Sequence, residues 1–265
     1  MIQIASVRQL FPVQQRLRQR RLLSIFAHPD DESLHVSGLL FQASKEKIPT
    51  FLVCLTQGEK GVTDLGLTGN RLKQKRHQEL LAATKLLGIH RVVHLNFPDG
   101  KLAFYQSRIR DALKRIISEI KPQVILTFDP SGFYGHPDHI ATSLAVKSCF
   151  PLARQPAINL YFSVSSLPDK WFHRGAPWRL RWPTMPTPTH RFHAASYADL
   201  KANVCLCYRT QPLRSFPLPF RVWFRMFDWE YLHCVNLRKR YPFHFQTYST
   251  PHISFTPSRD EITWA

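Results

Sequence analysis

From Leu22 onward, short apolar runs alternate with longer stretches whose apolar residues recur every three or four positions. The runs are Leu22 to Ala27, Thr50 to Thr56, Val92 to Phe97, Val124 to Phe128 and Asn159 to Val164. Each has the length of a buried strand and ends in polar or glycine-containing residues. Between them the helical period predicts helices near Glu32 to Ser44, Arg71 to Leu87, Ser107 to Ile120 and Pro137 to Cys149. In the second of these, Leu72, Leu80, Ala83, Leu86 and Leu87 share one face, Lys73, Lys75, Arg76 and Lys85 are expected in solvent, and Gly88 stops the helix. In the third, Ile109, Leu113, Ile116, Ile117 and Ile120 form the stripe and Pro122 closes it. Strand and helix in alternation predict an α/β domain with a mostly parallel sheet.

The texture changes after Ser165. Prolines become dense (Pro183, Pro186, Pro188) and tryptophans crowd in (Trp171, Trp178, Trp182, Trp223, Trp229). The expected organisation is a basic arm over residues 1–21, a catalytic α/β domain over 22–165, and an irregular aromatic- and proline-rich region over 166–265 that packs on it and shapes the entrance. Those tryptophans are expected to serve mainly in packing.

Composition narrows the partners. Lysine and arginine exceed aspartate and glutamate by 36 to 18, a net charge of +18 with a sequence pI near 10.1. Such a charge steers anions, and three partners fit it: nucleic acid, an anionic membrane face, or an acidic substrate. The plainer reading is a solvated basic surface. No run approaches the roughly 20 apolar residues of a membrane span. The arginine-rich start (Arg8, Arg16, Arg18, Arg20, Arg21) precedes an apolar run too short for a signal-peptide core, so no export signal is read and a cytoplasmic setting is expected. Five cysteines, with Cys205 and Cys207 in no recognised metal or redox spacing, are expected as free thiols.

Two constellations carry chemistry. Ala27-His28-Pro29-Asp30-Asp31-Glu32 stands where the first strand ends and a helix begins. Ligands bind at the carboxyl ends of strands in such sheets, and an imidazole beside two carboxylates is costly to bury unless a cation neutralises it. A catalytic zinc usually takes three protein ligands, so a further one must come from elsewhere. The best source is Tyr134-Gly135-His136-Pro137-Asp138-His139, which also follows an apolar strand and opens a helix. Taken alone, the first motif reads as an N-capping turn. The second, at an equivalent place, argues against that.

These motifs resemble those of the PIG-L/LmbE family. In order they are the first constellation, Thr56-Gln57-Gly58-Glu59-Lys60-Gly61, Arg71 with Glu79, Leu87-Gly88, Asp99-Gly100 and Gly135 to His139. The resemblance implies a Rossmann-like sheet with helices on both faces and zinc-dependent removal of acetyl groups from N-acetylglucosaminyl substrates. By position it puts the metal on His28, Asp31 and His139, one zinc per chain, and the general base on Asp30. A His-Asp-His set also accepts iron, manganese or cobalt. His136 suits oxyanion stabilisation, with Asp138 to orient it or raise its pKa. Tyr134 takes the place of a carbonyl-polarising tyrosine, and Asp30 or His136 protonates the leaving amine. Substrate contacts are expected from Arg71, Asp99, Glu59 and Tyr208. The segment Lys201 to Gln211 departs from the family's K-x-x-A-L-x-x-H-x-S-Q in placing Tyr208 at the histidine, which suggests a changed substrate. The substrate implied is a small N-acetylated amino sugar, and the charge leans to an anionic or lipid-linked one, with a peripheral membrane contact through the basic arm. The alternative is a non-catalytic basic protein binding nucleic acid or anionic membrane on the same fold. Nucleic acid is the less favoured partner. His35, His77, His90 and His94 are assigned no role.

Overall fold

The computed structural model describes residues 1–12, 20–63, 65–150, 158–164, 185–211, 218–235 and 263–264. Five strands follow the expected apolar runs within a residue or so: β2 (Leu22–Phe26), β3 (Thr50–Thr56), β4 (Arg91–Phe97), β5 (Val124–Phe128) and β6 (Asn159–Val164). All residues of β2, β3 and β5 are buried, as strands covered on both faces must be. The helices between them are α1 (Asp31–His35), α2 (Ser37–Lys45), α3 (Gly69–Leu87), α4 (Gln106–Ile120), α5 (Gly132–Gly135) and α6 (Pro137–Ser148). The single helix expected over Glu32 to Ser44 is interrupted at Val36, whose backbone (φ −144°, ψ 21°) is not helical.

The sheet order is β1-β7-β8-β6-β5-β2-β3-β4-β9, with β1 (Ile2–Ile4), β7 (His190–His193), β8 (Trp229–Cys234) and β9 (Thr263–Trp264) completing it. Strands β6, β5, β2, β3 and β4 run parallel. From β2 the chain moves outward through β3 to β4, then returns to lay β5 on the other side of β2. With right-handed crossovers, that reversal sends helices to opposite faces and opens a crevice at the carboxyl ends of β2 and β5.

The sequence sets residues 1–21 and 166–265 apart from the domain, but both contribute strands to this one sheet. β1 pairs parallel with β7, and β8 runs antiparallel between β6 and β7. Two helices accompany them, α7 (Ala198–Cys205) and α8 (Phe220–Met226). A buried ion pair ties this flank to the domain. Glu230 of β8 accepts from the Gly38 and Leu39 N–H groups at 2.8 Å, satisfying the otherwise orphaned first turn of α2, and it pairs with Lys201 of α7. Pro186, Pro188, Trp223 and Trp229 fall in the described flank; Trp223 packs on the small Phe220–Phe224 cluster, and Arg191 lies over the Trp229 ring. Arg16, Arg18, Trp171, Trp178, Trp182 and Pro183 lie outside the described residues. Among the described helices none is long and apolar enough to cross a membrane, and all five cysteines are free.

Helix α3 departs from its expected pattern at two positions. Arg76, expected in solvent, is only 3% exposed, while Leu86, expected in the core, is 44% exposed. The guanidinium of Arg76 lies beneath the loop after β3: a Cβ on Gly58 would stand 2.3 Å from its Nη1, and one on Gly61 2.2 Å from its Nη2. Gly58 also has φ +67°, so both space and backbone demand glycine there.

Candidate metal centre

β2 and β5 are neighbours in register, so the two His-Pro-Asp motifs leave the sheet side by side. His28 Nδ1 lies 3.4 Å from Asp31 Oδ2, Asp31 Oδ1 lies 3.2 Å from His139 Nε2, and His139 Nε2 lies 3.3 Å from His28 Nδ1. A tetrahedral ion with bonds of about 2.0–2.1 Å has ligand atoms about 3.3–3.4 Å apart, which is the separation of the two ring nitrogens, while Asp31 turns one carboxylate oxygen to each ring. His136 adjoins them, its ring 4.9 Å from that of His28 and 4.6 Å from that of His139. Ligand atoms of His28, His136 and His139, and likewise of His28, Asp99 and Asp138, also come within ion-binding reach of one another. The set with Asp31 leaves the other edge of His28 for orientation.

That edge is occupied. His28 Nε2 lies 3.1 Å from Asp99 Oδ1 and 3.3 Å from Asp138 Oδ2. A metal-ligating imidazole characteristically gives its second N–H to a carboxylate in this way. Asp138 is fixed by the N–H groups of Gly100 (2.7 Å) and Leu102 (3.1 Å). Asp99 is held by the Lys60 N–H at 2.9 Å, and its own N–H donates to Glu59 Oε1 at 3.1 Å.

The electrostatics follow from so many acids around one ring. Burial works to lower the His28 pKa, but hydrogen bonds to Asp138, Asp31 and Asp99 outweigh it and hold the imidazole well above its usual value. Burial works to raise Asp31, yet the His139 charge and bonds to both histidines pull it well below the carboxylate range. Asp99 falls to about 2 against its burial, chiefly through His28. Asp30 goes the other way: burial and the neighbouring Asp31 charge push it well up, opposed by Arg76 and His28. The proton that the acids keep on His28 occupies an electrostatic place that a divalent cation fills better.

Several expected roles are revised. Asp138 does not keep His136 charged: burial, then His139 and His28, lower the His136 pKa to about 3, and the Asp138 carboxylate is spent on His28 and two backbone amides. The His136 ring instead accepts the Asp138 N–H on Nδ1 at 3.2 Å, which leaves its proton on Nε2. Asp99 and Glu59, expected to meet substrate, also have protein partners: Asp99 meets His28 and the Lys60 N–H, and Glu59 Oε1 accepts the Asp99 N–H. Arg71 is exposed in the first turn of α3, and it is Arg76 whose charge reaches Asp30 and Asp99. Tyr208 is 1% exposed and donates to Glu32 Oε1 at 2.7 Å, so it supports the site from behind. The Tyr134 side chain lies outside the described residues. Asp30 does not cap its helix and has φ 117°, a conformation costly for a residue with a Cβ. Gln211 donates to its carboxylate, a contact that reasoning from the sequence missed.

A family model for GlcNAc-PI de-N-acetylases (PIG-L) matches residues 23–150. Over 133 residues the chain is 35% identical to a probable N-acetyl-α-D-glucosaminyl L-malate deacetylase 2 of Bacillus anthracis, covering 48% of this chain and 58% of that protein. Over 199 residues it is 32% identical to a 1D-myo-inositol 2-acetamido-2-deoxy-α-D-glucopyranoside deacetylase of Streptomyces avermitilis, covering 65% of this chain and 64% of that one. The chain thus spans less than two thirds of the length of either relative. Among solved structures, an N,N'-diacetylchitobiose deacetylase from Pyrococcus horikoshii superposes with a TM-score of 0.62 at 23% identity over 85% of this chain and 87% of its own. At that identity the likeness is one of fold. The motif order, the strand neighbours that bring the two His-Pro-Asp turns together and the matched segment agree: residues 23–150, just under half of the chain, match the PIG-L family of GlcNAc-PI de-N-acetylases.

Proposed function

We propose that the protein is a metal-dependent N-deacetylase that hydrolyses the acetamide of an N-acetylglucosamine unit in a small glycoside or glycolipid. The observation that carries this reading is the His28–Asp31–His139 triangle at metal-ligand spacing, with the Asp30 carboxylate one residue from a ligand. Those three side chains would hold zinc or another divalent ion. When bound, the ion supplies Lewis acidity that acidifies a water and polarises the acetyl carbonyl.

The remaining roles fall to the chain's own groups. Asp99 and Asp138 fix the His28 ring through Nε2 and make it a better ligand. Asp30 takes a proton from the attacking water as its oxygen joins the carbonyl carbon. The Nε2–H of neutral His136 donates to the oxygen on which negative charge gathers. Asp30 then returns its proton to the nitrogen as the C–N bond breaks, leaving acetate and a free amine. Tyr134 remains a second carbonyl donor on the strength of its motif. Arg76, buried beneath the Gly58–Gly61 loop, supplies positive charge near Asp30 and Asp99, and Arg71, exposed in the first turn of α3, remains a substrate contact on the strength of its motif. The names of the relatives support an N-acetylglucosaminyl substrate, and the +18 charge supports an anionic acceptor group.

Metal content and amine release test this directly, using N-acetylglucosaminyl malate, N-acetylglucosaminyl inositol and diacetylchitobiose with the wild type and Asp30→Asn. The expected result is about one ion per chain in both proteins, and a kcat reduced about 10²- to 10⁴-fold in the variant. A chain that takes up no ion after reconstitution overturns the reading in favour of a non-catalytic basic binding protein.

A further inference from the structure

Three residues of the turn after α7 grip three acids that lie far away in sequence, two of them buried and the third, Asp30, half-buried. The Tyr208 hydroxyl donates to Glu32 Oε1 at 2.7 Å. Thr210 donates twice to Glu79 of α3, from its N–H at 3.1 Å and its hydroxyl at 2.6 Å. Gln211 donates from its side-chain amide to Asp30 Oδ2. Glu32 in turn accepts the Asp30 N–H on its other oxygen at 3.3 Å. Asp30 is therefore held at its backbone through Glu32 and at its carboxylate through Gln211. Both contacts converge on a residue whose φ of 117° would otherwise relax at the expense of its aim.

The segment is itself stiff. Tyr208 N–H bonds to Cys205 O and Gln211 N–H to Tyr208 O, both at 3.0 Å, and Tyr208, Thr210, Glu32 and Glu79 are all buried. Removing a donor from Glu32 or Glu79 would leave a buried carboxylate short of a partner, so the contacts reinforce one another. We infer that residues 208–211 form a clamp that fixes the Asp30 carboxylate over the metal triad, with Gln211 as its positioning residue. This rests on the deacetylase reading for its effect on rate. The clamp itself is a statement about structure and is tested separately.

The experiment compares full-length wild type with Gln211→Ala and Tyr208→Phe, measuring kcat, KM, ions per chain and amide hydrogen exchange across residues 29–33. In Gln211→Ala, kcat is expected to fall about 10- to 100-fold, the scale on which small misplacements of a reacting group act. KM should stay within about twofold and the metal content should not change, because Gln211 touches no ligand. Exchange at 29–33 should rise severalfold in both variants, and Tyr208→Phe should lose less rate because the Gln211 contact survives. An unchanged kcat in Gln211→Ala, or a loss matched by loss of metal, overturns the inference. If the wild type releases no amine, the deacetylase reading fails and exchange alone decides: unchanged protection of 29–33 in Gln211→Ala overturns the clamp.

Discussion

Two buried acidic centres in this molecule differ in one respect. Glu230, in the antiparallel flank, has a lysine for its charge and two amide N–H groups for its oxygens, so its account with the protein is closed. At the carboxyl ends of β2 and β5, by contrast, Asp31, Asp99 and Asp138 gather around His28, with His139 added on Asp31 and with Asp30 beside them. The first arrangement joins pieces of architecture. The second carries surplus negative charge converging on atoms already at ligand spacing, which is what a cation site requires. Burial of acids alone would not have told them apart; the count of positive partners does.

The sharpest way to break the contrast is to remove a ligand. His139→Ala should abolish ion uptake and reduce turnover about 10³-fold or more, while the Glu230–Lys201 pair keeps the flank folded. In the wild type, zinc at a hundred times its Kd should add about 2.7 kcal/mol to unfolding, an increment absent from the variant in thermal melts. Breaking the closed centre should do the reverse. Lys201→Met leaves Glu230 charged and unpaired and should cost about 3–5 kcal/mol in urea unfolding, with the metal stoichiometry of the folded fraction unchanged.

A third buried group sharpens the comparison because it carries no charge. His94 donates from Nε2 to Thr56 O at 2.8 Å and meets His77 at 2.9 Å, and burial lowers its pKa from 6.5 to about 4. The neutral ring's contribution is complete above pH 6.5 and is lost as pH falls through 4, since the unfolded chain binds the proton more readily. Denaturation at pH 7 and pH 4 should show about 3 kcal/mol lost on this account, a slope that His94→Gln removes. The smallest effect is expected from Gly58→Ala. Its left-handed backbone and the Arg76 side chain beneath it should cost about 1–2 kcal/mol, read as a lower melting temperature.

What the sequence made legible follows the physics of each region. The strands from β2 to β6 are buried on both faces and read as plain apolar runs. The two motifs at their ends announced that His28, Asp31 and His139 would meet, because each repeats His-Pro-Asp at a strand-to-helix turn. The flank was not legible, because its exposed and half-buried strands, such as His190–His193, lack an apolar run. Arg76 shows a signal overlooked: positions 72, 76, 80, 83 and 87 share the buried face of α3, so a basic residue at 76 falls on the apolar stripe. Gln211 had no such signal. Its contact depends on a turn meeting a loop 181 residues away, which periodicity does not report.

The neighbouring placement of β2 and β5 also has a consequence for how the molecule comes to be made. His28 and His139 are 111 positions apart, and β3, β4 and their helices are formed by the intervening chain. Contacts of that span close late, after the loop entropy between them has been overcome. A nascent or half-assembled chain therefore offers an ion only the His28–Asp31 pair, a poor competitor for scarce zinc. An ion held by this set would enter as a latch on a finished sheet rather than as a nucleus for it.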